Sequence, residues 1–317
     1  MNVLVTGASG AIGSELVPRL VGAGERVRAF ARERARVTAA GLSGVVQGDA
    51  VAGTGLDEAL EGIDVAYFLI HSMETMSQRA PTAEPLVGAF AERDRRAASH
   101  FARAAAAAGV RRIVYLGGLV PRDASVAVSS HLASRLEVEE ILLGAAAEGV
   151  ALRASIVIGA RSRSFRFLVR LVERVPVMAL PDWRDNRTAP IDGRDVMSYL
   201  VAAGTSGAVD GPLSLDIAGP EVMTYAAMIE RIRDALMLGR PRLDLPLRLT
   251  PVASRIAAAI AGEDPELIEP LMGSLGSDLL PRDDRARELF GVRLHGFEAA
   301  VERALREWEA AEQLAGH

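Results

Sequence analysis

Short apolar stretches of strand length alternate with helical stretches along the first half of this chain. The strand-like stretches, rich in Val, Ile and Leu, cover residues 3–5, 26–32, 44–48, 65–70, 112–116 and 151–158. Apolar residues at helical spacing predict helices over 14–23, 56–60, 93–108 and 133–148. Because strands separated by helices are joined by right-handed crossovers, they lie parallel in one sheet. The pattern therefore predicts an α/β fold with a doubly wound parallel sheet and helices on both faces.

The second half of the chain has more amphipathic helices and fewer strand signals. The pattern predicts helices over 162–174, 224–237 and 297–314, and a strand over 213–217. In the last helix Val301, Leu305 and Trp308 recur on one face, which is typical of a helix packed on a core. We expect these helices to build a second lobe or a dimer face, so that the protein is a monomer or a homodimer.

A glycine-rich turn follows the first strand directly. Residues 6–13 are TGASGAIG, which places Gly7, Gly10 and Gly13 where the strand turns into a helix. The first glycine permits the tight turn, the second lets the backbone approach a diphosphate, and the third allows the helix to pack closely on the strand. The free N–H groups at the helix N-terminus favour an anion there. The turn therefore predicts a dinucleotide site.

The end of the second predicted strand bears on which nicotinamide dinucleotide is bound. An acidic residue there holds the ribose hydroxyls of NADH, whereas an arginine holds the extra phosphate of NADPH. Ala31 stands where the acid is expected, and Arg32 follows it. We expect NADPH to be preferred, with NAD possible, and the alternative is a solvated arginine-rich loop. Asp49, after the third strand, is placed to meet the adenine amine or to serve as a turn or cap residue.

Composition excludes several classes of protein. The chain has 317 residues, 50% of them hydrophobic and 24% charged, which is enough for a large α/β core. A net charge of -5 argues against nucleic acid as the main ligand. No apolar run is long enough to span a membrane, and the absence of cysteine excludes disulfides and a thiol nucleophile. We expect a cytoplasmic protein, and the alanine-rich, lysine-free composition favours a bacterial source.

The order of the motifs resembles the extended and atypical branch of the short-chain dehydrogenase/reductase family. After TGASGAIG come VRAFAR, QGDA, GIDVAYFLIHS, GVRRIVYLGG, RASIVIGA, PIDGRDV and DIAGPEVMTY. The chain is especially similar to NmrA-like and nucleoside-diphosphate-sugar-epimerase-like NAD(P)H-binding proteins. The resemblance implies a Rossmann-type core over residues 1–160 and a smaller C-terminal substrate lobe over most of 161–317, with a short return to the core near 188–217.

The resemblance also implies a set of cofactor contacts. They lie in the glycine turn, after the second and third strands, and at the end of the fourth strand, beside the nicotinamide ribose. The residues that match are Gly7, Ser9, Gly10, Ala11, Ile12, Gly13, Arg32, Asp49, Ala50, Leu69, Ile70 and His71.

The family's catalytic residues are replaced in this chain. The serine falls near Leu119, the tyrosine on His131 and the lysine on Arg135, while Asp94 stands where many relatives have asparagine. We expect His131 to act as the acid, because imidazole titrates near neutral pH, and Arg135 to hold the ribose hydroxyls. The alternative for His131 is a structural residue at the start of its helix.

His71, at the end of the fourth strand, is a further catalytic candidate, and its alternative role is to satisfy backbone groups. The histidines show no metal-ligand spacing, so no metal is expected. Phe165, Phe167, Leu168 and Leu171 are available to line a partly apolar substrate cleft, and the alternative is that they belong to the core.

These observations predict an NADPH-preferring oxidoreductase that transfers a hydride to a small carbonyl, enone or quinone-like substrate. Two alternatives stay open. One is a regulatory protein that senses NAD(P)H without turnover, because serine, tyrosine and lysine are all absent from their positions. The other is an NAD-dependent epimerase or dehydratase.

Overall fold

The computed structural model describes residues 1–71, 89–123, 125–244, 260, 272–310 and 312. The strands are β1 Asn2–Thr6, β2 Arg26–Ala31, β3 Gly44–Gln47, β4 Val65–Phe68, β5 Arg112–Gly118, β6 Glu148–Ala154, β7 Val157–Ile158, β8 Met178–Leu180, β9 Arg187–Thr188, β10 Ile191–Asp192, β11 Leu213–Ile217, β12 Met223–Thr224 and β13 Arg242–Asp244. The α-helices are α1 Gly13–Gly22, α2 Leu56–Leu60, α3 Ala89–Ala107, α4 Ser130–Leu143, α5 Arg163–Arg174, α6 Gly193–Thr205, α7 Tyr225–Ala235, α8 Arg285–Phe290 and α9 Phe297–Glu309. Over the residues described, none of these helices has the length and apolar character that a bilayer crossing requires.

Seven parallel strands form the central sheet, in the order β11-β6-β5-β4-β1-β2-β3. From β1 the chain builds outward through β2 and β3, then crosses back to β4 and builds outward in the other direction. The strand order therefore reverses between β1 and β4. A ligand crevice forms at such a switch point, outside the carboxyl ends of the strands. The predicted doubly wound parallel sheet is confirmed.

Helices cover both faces of this sheet because its strands are apolar on both sides. All four residues of β4 are buried. On one face α1 and α6 contribute side chains such as Leu16 and Leu200, and on the other face α3 and α4 contribute Phe101 and Leu142. At the centre, the Tyr67 hydroxyl donates to the carbonyl of Leu200 at 3.0 Å. The two layers are thus packed directly on β4, which ends at the ligand crevice.

One predicted strand is two strands in the structure. The apolar pattern over 151–158 predicts continuous pairing, whereas β6 stays in the central sheet and β7 pairs with β10. The N–H of Ser155 donates to Ile217 O at 3.1 Å, and the next carbonyl, on Ile156, accepts from the N–H of Ile191 at 2.9 Å. The chain therefore changes partner here, a change that an unbroken apolar run does not reveal.

A second core lies under the C-terminal helices. It is formed mainly by α5, α7 and α9, and it includes Phe165, Ile229, Val301, Leu305 and Trp308. The predicted apolar face of the last helix is confirmed, since all three of its residues are at most 5% exposed. Residues 311 and 313–314 of that predicted helix lie outside the described residues. α6 and β11 pack with the sheet, within 188–217, while the lobe boundary near residue 160 stays a prediction.

Candidate functional site

The turn between β1 and α1 requires glycine at two positions. Gly7 has a φ of +66°, and a Cβ there would lie 2.8 Å from the carbonyl oxygen of Leu69, just after β4. A Cβ on Gly13 would lie 2.3 Å from the carbonyl oxygen of Gly7. The N–H of Gly10 donates to that same oxygen at 2.9 Å and closes the turn. A side chain at either position would force the turn away from β4 or α1 away from the turn.

A cavity of about 650 Å³ lies along this turn and the ends of β2 and β4. Most of the residues predicted to contact a cofactor line it: Gly7, Ser9, Gly10, Ala11, Arg32, Asp49, Ala50, Leu69, Ile70 and His71. Ile12 lines the neighbouring cavity instead. Gly13 is buried behind the turn, where it packs α1 against the backbone.

The residues around this cavity fit a dinucleotide. The glycine turn and the N-terminus of α1 offer backbone N–H groups to a diphosphate. Arg32 is exposed, lines the cavity and makes no contact with a charged or polar partner among the described residues. Asp49 Oδ1 accepts from the N–H of Val51 at 2.8 Å and from the N–H of Ala52 at 3.3 Å. This is the turn role that was expected for Asp49 as the alternative to an adenine contact. The same residue also faces the cavity.

A second cavity, of about 250 Å³, adjoins the first. His71, His131 and Arg135 all line it, although they come from the end of β4 and from α4. The ring centroids of the two histidines are 5.4 Å apart. Gly117 and Gly118, at the end of β5, also line this cavity. The structure thus brings the three predicted catalytic residues into one space.

A buried carboxylate holds His71. Its Nδ1 lies 2.8 Å from Oδ2 of Asp94, and Asp94 is only 3% exposed. The other ring nitrogen, Nε2, is shielded from solvent and makes no hydrogen bond with the described residues. Because the Nδ1–H donates to the carboxylate, Asp94 fixes the ring orientation and leaves Nε2 to a ligand. The sequence alone did not reveal this pair, which links the end of β4 to α3.

The surroundings of His131 favour its neutral form. Burial lowers its pKa well below the usual 6.5, and the positive charges of His71 and Arg135 lower it further. A lowered pKa favours the neutral ring at pH 7, and the role of His131 as the acid stays a prediction. The neutral ring keeps one N–H donor and one acceptor, and its Nδ1 has no hydrogen-bond partner among the described residues.

His131 lies inside α4 and does not precede it. The helix begins at Ser130 and not at residue 133, because the hydroxyl of Ser129 accepts the N–H of Leu132 and caps it. Leu119, at the serine position, is buried against Leu132 and Leu279. That position therefore contributes to a small apolar cluster.

Arg135 is fixed at the end of β5. Its Nη2 donates to the carbonyl of Leu116 at 2.6 Å, and its guanidinium lies over the ring of Tyr115, 5.4 Å from the centroid. The side chain therefore presents a positive charge at the wall of the smaller cavity, in a set orientation.

Several arginines at the two cavities were missed from the sequence. Arg161 and Arg163 line both cavities, Arg93 and Arg166 line the larger one, and Arg303 lines the smaller one. The alternation of serine and arginine over residues 161–166 was the available signal.

The apolar residues of α5 do not line the cavities. Phe165, Phe167 and Leu168 are buried in the core of the C-terminal lobe, and Leu171 packs against that core. Of the two alternatives, the structure therefore favours core residues over cleft residues. α5 turns its apolar face to α7 and α9, so the polar residues at its start are the ones that reach the smaller cavity.

A parallel sheet with a glycine turn and a long cavity at its switch point defines a nucleotide-binding protein of the Rossmann class. A family model described as NAD(P)H-binding matches residues 7–155. A (4-alkanoyl-5-oxo-2,5-dihydrofuran-3-yl)methyl phosphate reductase of Streptomyces griseus subsp. griseus is 32% identical over 248 residues, spanning 75% of this chain and 74% of that protein. The chain therefore belongs to the same family as this reductase, a family of NAD(P)H-binding proteins.

Solved structures share the fold over nearly the whole chain. A short-chain dehydrogenase/reductase superfamily protein from Agrobacterium tumefaciens with bound NAD has a TM-score of 0.69 at 19% identity, covering 98% of this chain and 97% of its own. A UDP-glucose 4-epimerase from Thermotoga maritima, with UDP-glucose, has a TM-score of 0.71 at 13% identity, covering 98% and 99%. At these identities the likeness shows the fold alone.

Proposed function

We propose that this protein is an NADPH-preferring reductase that acts on a conjugated carbonyl substrate. The observation that carries the proposal is the smaller cavity, in which two histidines, each with a ring nitrogen that has no described partner, adjoin the cavity of the glycine turn. A hydride donor on one side and proton donors on the other are what the reduction of a conjugated double bond requires.

The reductase relative supports the substrate class. Its name describes a dihydrofuran ring whose double bond is flanked by a ring carbonyl and an alkanoyl group. Such a double bond is electron-poor and accepts a hydride, and negative charge then develops on a carbonyl oxygen. The enone class predicted from the sequence is of the same chemical kind. For this chain the substrate is a proposal.

Arg32 supports NADPH as the preferred cofactor. It lies directly after β2, where Ala31 offers no carboxylate to ribose hydroxyls. A guanidinium binds phosphate oxygens through two parallel N–H groups, so Arg32 is suited to the 2′-phosphate. The diphosphate would lie on the N–H groups of the glycine turn, and Arg135 would face the nicotinamide ribose.

The chain's own residues supply the proton and stabilise the charge. When bound, the reduced nicotinamide supplies the hydride. His131, as a neutral ring, donates an N–H hydrogen bond to the oxygen on which charge develops. His71 delivers a proton from Nε2, and the carboxylate of Asp94 compensates the charge of the ring before it does so. Two histidines thereby replace the tyrosine and lysine of the family.

A turnover assay tests the proposal. We expect the purified protein to oxidise NADPH in the presence of alkanoyl butenolides, simple enones or quinones, followed by the loss of NADPH absorbance. His71→Gln and His131→Gln should each lower kcat by about 10²-fold and leave the Kd for NADPH unchanged. The matched control is His295→Gln, because His295 pairs with Asp195 and lines neither cavity.

One result would overturn this function, and another would overturn only its proton donors. NADPH binding without turnover across the whole panel would favour a regulatory sensor. Turnover that persists in both histidine variants would remove the proposed proton donors.

A further inference from the structure

We propose that the neck between the two cavities is a binding site for a phosphate group of the substrate, formed by Arg93, Arg161 and Arg163. The inference rests on the proposed reductase function and adds the chemical class of its substrate. Four residues line both cavities, namely Ala11, His71, Arg161 and Arg163, and they define the neck. A proposed catalytic histidine and two guanidinium groups therefore share one narrow space.

Arg161 connects this neck to the start of α1. Its Nη1 donates to the hydroxyl of Ser14 at 2.7 Å. No acid pairs with Arg161 among the described residues, so most of its N–H groups remain for a ligand. A guanidinium in this state is suited to a doubly charged oxyanion, which accepts two parallel N–H groups.

Arg93 lies on α3, directly before Asp94, whose carboxylate holds His71. Its Nε and Nη2 are shielded from solvent and make no hydrogen bond with the described residues, while the side chain lines the larger cavity. Shielded guanidinium N–H groups without a partner are costly unless a ligand satisfies them. This is an independent sign that an anion belongs at this end of the cavity.

The charge balance of the smaller cavity favours an anion as well. Its charged or titratable lining comprises four arginines and two histidines against a single acid, Glu15. Arg135 is engaged by the Leu116 carbonyl, and Arg303 by Asp192 at 2.9 Å. Arg161 and Arg163 lie beside the first turn of α5, a 12-residue helix whose N-terminal amides add positive potential.

The substrate is the better source of this phosphate than the cofactor. The cofactor's diphosphate would be held by the backbone N–H groups of the glycine turn and its 2′-phosphate by Arg32, so neither phosphate needs Arg161 or Arg163. In the name of the reductase relative, the phosphate is attached through one methylene to a carbon of the ring double bond. A phosphate three bonds from the reacting carbon must lie close to the proton donors, which is where the neck places Arg161 and Arg163.

Calorimetry with inorganic phosphate tests the site without any turnover. We expect phosphate to bind to the protein saturated with NADP⁺, and Arg161→Gln or Arg93→Gln to weaken that binding by about tenfold or more. The Kd for NADP⁺ should change by less than about threefold. Arg174→Gln is the matched control, since it lies on the same helix as Arg163 and lines neither cavity.

A substrate pair separates this inference from the reductase proposal. An alkanoyl butenolide methyl phosphate should exceed its free alcohol in kcat/KM by about 10²-fold, and Arg161→Gln should remove most of that ratio. Equal reduction of both compounds would overturn the phosphate site and leave the reductase standing. Phosphate binding to the NADP⁺ complex without reduction of either compound would overturn the reductase function and leave the phosphate site standing. Phosphate that competes with NADP⁺, or variants that weaken NADP⁺ and phosphate equally, would assign these arginines to the cofactor and overturn the inference.

Discussion

The two ends of the site differ in whether the backbone or the side chains define them. At the glycine-turn end, the shape is set by the backbone, with Gly7 and Gly13 placed where a Cβ would meet carbonyl oxygens at 2.8 and 2.3 Å. At the histidine end, the chemistry is carried by side chains, and His131 and Arg135 stand where the family has tyrosine and lysine. Backbone geometry leaves few alternatives at the first end, whereas side chains on a fixed helix can be exchanged at the second.

The helix that carries the exchanged residues is anchored independently of them. Glu139 on α4 accepts three hydrogen bonds from Arg153, the shortest being 2.6 Å, and a further bond from Ser214. Ser134 is also buried on the same helix. α4 is therefore tied to β6 and β11 by contacts that do not involve positions 131 and 135. This explains how the family's scaffold persists while its catalytic pair is gone.

The largest expected effect comes from the backbone-determined end. Gly13→Ala should lower the free energy of unfolding by about 3 kcal/mol or more, or weaken NADPH binding by at least about 10²-fold, because the new Cβ overlaps the Gly7 carbonyl. Urea unfolding and calorimetric titration with NADPH measure the two quantities.

Gly22→Ala is the control within the same helix. A Cβ there meets nothing within 4 Å, so the change should raise the free energy of unfolding by about 0.5 kcal/mol. If Gly13→Ala behaved like Gly22→Ala, the turn would not be determined by its backbone.

A smaller effect, on the relative affinities for NADPH and NADH, is expected at Arg32. The wild-type protein should bind NADPH about tenfold or more tightly than NADH, because Arg32 can meet the 2′-phosphate. Arg32→Ala should bring the two Kd values together while the Kd for NADH stays the same. Titration of both proteins with both cofactors measures the preference. Equal affinities in the wild-type protein would refute the NADPH assignment.

The smallest effect concerns the pH dependence of stability at the histidine end. The pKa of folded His131 lies well below 6.5, chiefly because of burial, so below about pH 6.5 the unfolded chain binds a proton that the folded protein does not. The stability is therefore complete above this pH and falls as the pH decreases toward the folded pKa. The slope for one proton is at most about 1.4 kcal/mol per pH unit.

Urea unfolding of the wild-type protein and His131→Phe between about pH 7.5 and about pH 5 measures this contribution. The stability of the wild-type protein relative to the variant should stay constant above about pH 6.5 and fall below it. A constant difference over the whole range would show that His131 titrates normally in the folded protein.

The fold and the cofactor end were largely accessible from the sequence. The spacing of the glycines predicted the turn, and the alternation of strand-like and helical apolar stretches predicted the parallel sheet. Arg32 could be placed after β2 from its position in the chain. These features are local, because a turn, a strand and a strand end are each specified by a few neighbouring residues. The one misjudged strand, over 151–158, failed where pairing changes partner without a change in apolar character.

The histidine end required the tertiary structure, because its properties come from residues far apart in the chain. His71 acquires its carboxylate from Asp94, 23 positions away, and Arg161 reaches the neck from a loop 90 positions after His71. His131 is identifiable as a residue from the sequence, but burial and neighbouring charges determine that it is neutral. Sequence by itself thus determined the architecture and the site of the dinucleotide, since these follow from local backbone preferences. Only the tertiary structure decided the lowered pKa of His131, the orientation of His71 and the arginines beside both, because solvation and charge depend on what the fold brings together.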